Sequence, residues 1–396
     1  MSQRVDELTG DGKRKLVLRI SIEPLIRLLP GLFYIANLIR MMSFSTMPYM
    51  VFLYVVGGIG LLTLFFVKQY NRKTCLLFLF LYLLSLTLNY FFVGNVSISN
   101  IGVNALFFGI AYMMLIHQWS IKEGAFVFYC TAVILLIRMG RGSFLRMLVS
   151  SSNYISILLL LSVSFYYIAL EYEKKKMKAI DLLPALLCFL MCVWARGRGG
   201  ILSATVLFLL VLLIFMRTIT HKNTKRILIL FFIVVLIGAI YSMVDYSLLD
   251  TFMGLGKWST RGADISDRLL IWGSYVSAAS DSFVNLFLGA PFEEAYYVYR
   301  MGGNCHNSFL QLHAYGGLLI FIIYIFMMVR AFRYFLKNKQ YIMASMMFVI
   351  FLRGLSDKFI FGQYGMPVML YFVLQPFLLK EKYSEAVINS VEQTFM

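Results

Sequence analysis

Residues 302–329 read GGNCHNSFLQLHAYGGLLIFIIYIFMMV. A polar, glycine-rich stretch with two histidines runs directly into an apolar segment, the pattern of a loop entering a membrane span. Comparable apolar runs recur along the 396 residues, near 22–40, 49–67, 74–93, 100–117, 122–138, 153–171, 179–194, 199–216, 227–244, 309–329, 341–359 and 364–380. Each is close to the ~20 residues a helix needs to cross a bilayer. The composition agrees, with 60% hydrophobic and 14% charged residues and a mean hydropathy of +0.79, whereas about a quarter of a soluble domain is charged. The sequence thus predicts an all-α, polytopic membrane protein of about twelve transmembrane helices. It reads as one integral domain over residues 1–396, with a single large loop at 245–308. The first span is the weakest, interrupted by Glu23, Pro24, Arg27 and Pro30. The polar start MSQRVDELTGDGKRK predicts no cleavable signal peptide.

Cation placement orients the bundle. Taking alternate loops as cytoplasmic collects 23 of the 36 Lys and Arg, and the positive-inside rule then puts both termini in the cytoplasm. The remaining cations are nearly all arginine: Arg27, Arg40, Arg138, Arg141, Arg146, Arg196, Arg198, Arg261, Arg268, Arg300 and Arg353, with only Lys257 and Lys358 as lysines. Guanidinium is planar, always charged and able to grip phosphate oxygens in pairs. Arginines near span ends also snorkel into headgroups, which serves equally well for Arg40, Arg138 or Arg146. In ARGRGG, residues 195–200, two arginines share a very short connection with glycines that let backbone N–H groups approach an anion. These residues point to a phosphate site on the outer face.

Other classes fit less well. All 19 Asp and Glu fall in loops or near span ends, which disfavours an ion-driven carrier. No phosphate-binding nucleotide loop occurs, so any driving force must arrive in the substrate. Cys305 is the one cysteine outside the spans and has no external partner for a bridge. His306 and His313 are seven residues apart without close carboxylates, and no metal site or other cofactor is predicted. The net charge of +17 sits largely beside span ends, where it meets anionic headgroups rather than nucleic acid.

Within the large loop, SDRLLIWGSYVSAA predicts a short helix capped by Ser266 or Asp267, with Leu269, Ile271, Trp272, Tyr275 and Val276 as its apolar surface. LGAPFEEAYYVYR sets aromatics and two carboxylates between Gly and Pro breakers, a composition suited to stacking on sugar rings or to an interfacial tyrosine belt.

Three segments, in this order, carry a resemblance: CVWARGRGGILSATVLFLL, SDRLLIWGSYVSAASDSFVNLFLGAPFEE and HNSFLQLHAYGGLLIFIIYIF. Together they resemble the O-antigen polymerase and O-antigen ligase superfamily of bacterial envelopes over residues 180–330, with Arg198-Gly199-Gly200, Arg268 with Trp272, and His306-Asn307 on its motifs. The resemblance implies a GT-C-like bundle in the bacterial inner membrane, its large loop periplasmic and containing short helices. It implies glycan transfer from undecaprenyl pyrophosphate. A polymerase passes the growing glycan to a new lipid-linked repeat unit; a ligase passes it to lipid A-core. The pyrophosphate bond then supplies the driving force, and no metal is needed. A chain-length regulator is a partner the resemblance implies, alongside the lipid-linked oligosaccharide and membrane lipids.

On this reading Arg198 and Arg268 stabilise the departing pyrophosphate, with Arg196 beside them and Arg261, Arg300 and Arg353 behind. His306 takes the proton of the acceptor hydroxyl; Asp264, Asp267 and Asp357 are the bases if His306 is structural. Asn307 and Gln311 orient sugar hydroxyls, Trp272 offers a sugar surface, and Gly316-Gly317 permits close packing at the helix start. Polymerase is preferred to ligase. A lipid-oligosaccharide flippase, which would line a central cavity with charge, ranks below both.

Overall fold

The protein's structure, a computed structural model, describes residues 2–8, 14–20, 23–42, 46–66, 72–139, 153–174, 176–195, 198–220 and 265–377, and within 223–238 residues 223, 225–230, 233–234 and 237–238. Eight helices come first: α1 (Glu23–Met42), α2 (Met47–Phe66), α3 (Arg72–Phe92), α4 (Ile98–Ile116), α5 (Ile121–Met139), α6 (Asn153–Tyr172), α7 (Leu183–Ala195) and α8 (Arg198–Met216). Three short helices follow in the large loop, α9 (Ile265–Ser280), α10 (Phe283–Leu288) and α11 (Tyr296–Arg300). The chain closes with α12 (Ser308–Lys337), α13 (Tyr341–Leu355) and α14 (Met366–Phe377).

Among the described residues, six helices are long and apolar enough to cross a membrane: Met47–Phe66, Arg72–Phe92, Ile98–Ile116, Tyr154–Tyr172, Gly199–Met216 and Ser308–Lys337. Ala179–Ala195, α13 and α14 are shorter apolar helices. This is a helical, multi-pass membrane protein. The helices α1 and α5 stand where spans were expected but carry more charge, Glu23, Arg27 and Arg40 in one and Lys122, Glu123 and Arg138 in the other. The expected span at 227–244 and the loop segment 245–264 lie largely outside the described residues. An addition to the all-α expectation is a two-stranded antiparallel ladder at the N-terminus, β1 (Ser2–Leu8) on β2 (Arg14–Ile20), with Ser2 opposite Ile20. Gly10, Asp11 and Gly12 stand between the two strands in the sequence, a composition suited to reversing the chain. The span expected at 341–359 stops at Leu355, because Ser356, Asp357 and Lys358 leave the helix and use their polar groups elsewhere.

Helix α6 is the axis of the bundle. Nearly every side chain from Ile155 to Leu170 is buried, with α5, α7, α8, α13 and α1 packed around it. Two of its serine hydroxyls return to its own backbone, Ser162 to the Leu159 carbonyl at 3.0 Å and Ser164 to that of Leu160 at 2.8 Å, while Tyr166 and Tyr167 donate to the carboxylate and the carbonyl of Asp181. Helices α2 and α4 approach through glycines: a methyl on Gly60 would lie 2.0 Å from the Gly109 carbonyl oxygen. Small residues are the usual means of close helix contact in a bilayer.

Helix α12 is broken. Gly317 has φ 68° and ψ −174°, and the close packing expected of Gly316-Gly317 occurs inside the helix, at this break, rather than at its start. A Cβ at Gly317 would lie 1.9 Å from the Phe287 carbonyl oxygen, so the glycine opens a notch into which α10 settles. The break deprives the Ala314 carbonyl of its helical donor. Two asparagines replace it: Asn89 of α3 donates to the Ala314 carbonyl at 2.8 Å, and Asn95 of the α3–α4 turn donates at 3.0 Å. The same Asn89 amide reaches the Leu288 carbonyl, and Asn95 donates to Ala290 and accepts from the Phe292 N–H. The loop helices are therefore tied to the bundle by two asparagines that also satisfy the one carbonyl, Ala314, which a straight helix would have kept to itself.

Asn89→Ala leaves the Leu288 carbonyl without this donor and weakens the satisfaction of Ala314, which costs about 1–3 kcal/mol. Thermal unfolding of the detergent-solubilised protein should show a correspondingly lower midpoint. An unchanged midpoint would mean that water replaces the amide at no cost.

Candidate functional site

The loop helices form a small cap with its own core, in which Ile271, Tyr275, Ala278, Val298 and Cys305 gather around Ala314 of α12. Of the surface expected on α9, Ile271 and Tyr275 are buried and Trp272 is half-buried, while Leu269 and Val276 face outward. The helix begins at Ile265, so Ser266 and Asp267 lie in its first turn and not at the cap position.

The cap presents a tightly held turn at residues 303–307. Trp272 donates its indole N–H to the Cys305 carbonyl at 3.1 Å. Gln311, fully buried, accepts from the Cys305 N–H at 3.1 Å and donates to the Gly303 carbonyl at 3.2 Å. Asn304 accepts the His306 N–H at 2.9 Å. Asn307 is the N-cap of α12, its side-chain oxygen accepting from the N–H groups of Phe309 and Leu310. The Trp272 indole N–H, the Asn307 side-chain oxygen and both polar atoms of the Gln311 amide are thus engaged with backbone, and they hold the turn. Between them His306 adopts φ 48°, in the left-handed region that non-glycine residues enter at a cost. Its backbone geometry is imposed from both sides.

One hydroxyl joins this turn to the rest of the site. Ser308, fully buried, donates to the Asp357 carbonyl at 2.7 Å and accepts from the N–H groups of Phe359 and Ile360 at 3.1 and 3.3 Å. The segment after α13 is thereby stitched to the first turn of α12. In the last turn of α13 Arg353, 1% exposed, pairs with Asp357 at 3.1 Å and donates to the Ser356 hydroxyl at 2.8 Å. The other oxygen of Asp357 accepts the Lys358 N–H at 2.9 Å. The carboxylate is anchored on both oxygens.

Helix α8 starts against the same segment. A Cβ on Gly199 would lie 2.7 Å from the Ser356 hydroxyl oxygen, and one on Gly200 would lie 2.3 Å from Cβ of Ser156 on α6. The glycines of the Arg-Gly-Gly motif therefore let the N-terminus of α8 close on α6 and on the Arg353–Ser356 turn. Arg198 occupies the first position of that helix.

These contacts put His306, Arg268, Asp357 and Lys358 within electrostatic reach of one another. The His306 imidazole is half-buried, and its burial pushes its pKa below the ordinary value; Asp357 pulls it upward, while Arg268 and Lys358 push it further down. At neutral pH the ring is uncharged and ready to accept a proton.

The other expected residues are distributed as follows. Arg196 and Arg261, the side chain of Arg198, and Asp264 and the side chain of Asp267 lie outside the described residues. Arg300 is exposed on α11 and donates to the Tyr296 hydroxyl at 3.4 Å, with no described contact to the His306 group. Arg40 rests over the Tyr49 ring at 4.1 Å. His313 is held within the cap: its Nε2 meets the Leu286 carbonyl at 2.9 Å, which can only accept, so Nδ1 accepts from the Tyr275 hydroxyl at 2.7 Å. Cys305 is buried, and its thiol is pushed up to about 12 by that burial. Among the described residues no three His, Cys, Asp or Glu side chains gather into a metal-binding group. Sequence reasoning misses Ser308, Ser356, Asn89 and Asn95, whose short polar side chains carry no motif of their own.

Residues 183–325 match the family model described as O-Antigen ligase. This stretch contains Arg198, Arg268, Trp272, His306, Asn307 and Gln311, and the match agrees with the resemblance to the O-antigen polymerase and ligase superfamily. It indicates glycan transfer of the O-antigen ligase or polymerase kind. No curated protein matches the chain significantly, and no solved structure does.

Histidine-selective NMR of the labelled protein tests the electrostatics, since four histidines allow His306 to be identified by its loss in His306→Gln. Its titration midpoint should lie below about 6.5. Asp357→Asn should lower it further, and Lys358→Ala should raise it. A midpoint above 6.5, or shifts of the opposite sign, would contradict the arrangement.

Proposed function

We propose that the protein is a glycan polymerase of the bacterial inner membrane, with both termini in the cytoplasm and the cap facing the periplasm. The donor is a growing glycan on undecaprenyl pyrophosphate, and the acceptor is the terminal sugar of a new lipid-linked repeat unit. The observation that carries the reading is the half-buried His306, held in a constrained backbone within electrostatic reach of Asp357 and Arg268.

The acceptor hydroxyl attacks the anomeric carbon of the donor sugar, and its proton passes to the His306 imidazole. The bond between that carbon and the pyrophosphate oxygen breaks, and the electron pair leaves on the pyrophosphate. Arg268, within electrostatic reach of His306, stabilises this charge together with Arg198, the first residue of α8. Arg196, Arg261 and Arg300 are further cations for binding the pyrophosphate. Asp357, anchored by Arg353, favours the imidazolium that forms as the proton arrives. Trp272, Asn307, Gln311 and Ser308 are positioning residues, acting through the turn that holds His306. The bond cleaved supplies the free energy.

A second reading, transfer to lipid A-core, is favoured by the description of the matching family model. Acceptor identity separates the two.

Purified protein incubated with lipid pyrophosphate-linked repeat units should yield a product ladder on a gel. His306→Ala should lower the rate about 100- to 10,000-fold, and Arg268→Ala about 100- to 1,000-fold, with expression and melting unchanged. A ladder that survives His306→Ala would remove that residue from the chemistry. Transfer that appears only when lipid A-core is added would establish the ligase instead.

A further inference from the structure

Helices α8, α12 and α13 enclose an apolar slot lined by none of the residues assigned to glycan transfer. Two cavities of about 310 and 260 Å³ lie along it and share Phe332 and Phe348. Leu210 and Ile214 of α8 close one side of the first, and Met328 and Met347 line the second. On α12 the slot begins some twenty residues beyond Ser308, past the break at Gly317, and on α13 it extends to Phe351, whose ring lies 5.0 Å from that of Phe309.

The mouth of the slot is cationic. Arg217 lines the first cavity and stacks on the Tyr341 ring at 4.6 Å, which fixes its guanidinium at the rim. Arg333 lines the second cavity, and Lys337 and Lys339 follow at the end of α12. The three helices that form the slot contain no Asp or Glu. No carboxylate among the described residues pairs with Arg217, Arg333, Lys337 or Lys339. An apolar channel between membrane helices, with arginines at its mouth and no counter-charge among the described residues, is complementary to one ligand class, an anionic headgroup on an acyl chain.

We propose that this slot is a binding site for one anionic phospholipid, its phosphate held by Arg217 and Arg333 and one acyl chain lying between Phe332 and Phe348. The site is separate from glycan transfer and uses none of its residues. A lipid that merely coats the bundle would occupy the slot whatever its headgroup, and the headgroup therefore decides the test.

The full-length protein, delipidated in detergent, is titrated with phosphatidylglycerol or phosphatidylcholine and followed by native mass spectrometry and melting temperature. Phosphatidylglycerol should bind in a one-to-one complex and raise the melting temperature saturably, at least tenfold more tightly than phosphatidylcholine. Arg217→Gln with Arg333→Gln should abolish that preference, and Leu213→Trp, on the exposed rim, or Ser345→Phe, inside the slot, should block the complex. Equal binding of both lipids would overturn the proposal. So would a preference that persists in the double variant, or a complex that persists in both filled variants.

Discussion

The Ser308 hydroxyl is the joint on which the site depends. It donates to the Asp357 carbonyl and accepts from two backbone N–H groups, so the first turn of α12 and the segment after α13 cannot move independently. Without that joint, His306 and Asp357 belong to unrelated connections fifty residues apart. With it, a base, a carboxylate and Arg268 share one electrostatic neighbourhood. The hydroxyl has no neighbouring water to turn to, since Ser308 is fully buried. Each of its bonds is therefore worth more than the same bond at a surface.

A membrane interior imposes the second constraint: every backbone group that leaves a helix must find a partner in the protein. The break at Gly317 would expose the Ala314 carbonyl, and the structure supplies Asn89 and Asn95 for it. Those asparagines also bind Leu288 and Ala290. The break thus becomes the attachment point of the cap, and the cap in turn braces the turn before His306 through Trp272 and Gln311. Local strain at φ 48° on His306 is sustained because its neighbours leave no alternative.

Helices were legible in the sequence wherever an apolar run spoke for itself, as in VFLYVVGGIGLLTLFF or ILSATVLFLLVLLIFM. Their ends were less so. Residues 341–359 are apolar enough to look continuous, yet the polar demands of Ser356, Asp357 and Lys358 end the helix at Leu355. The glycines of HAYGG suggested a helix start; only the approach of Phe287 reveals a break within a longer helix. His306, Arg268 and Asp357 stand out as residue types, and the structure adds what composition cannot hold, namely that Asp357 and Arg268 lie within electrostatic reach of the His306 ring. The backbone partners of Asn307 and Gln311, two to eight residues away, leave no mark in the sequence.

The account stands on a neutral His306 that accepts the proton of an attacking hydroxyl. The pH dependence of kcat/KM for glycan transfer from the lipid pyrophosphate donor measures this directly. Activity should fall on the acid side with a midpoint below about 6.5, the signature of an essential base that burial keeps uncharged. In Asp357→Asn the midpoint should move to lower pH, because the charge that favours the imidazolium is gone. An acid limb above 6.5, or one that Asp357→Asn leaves in place or moves upward, would contradict the assignment of His306 as the base.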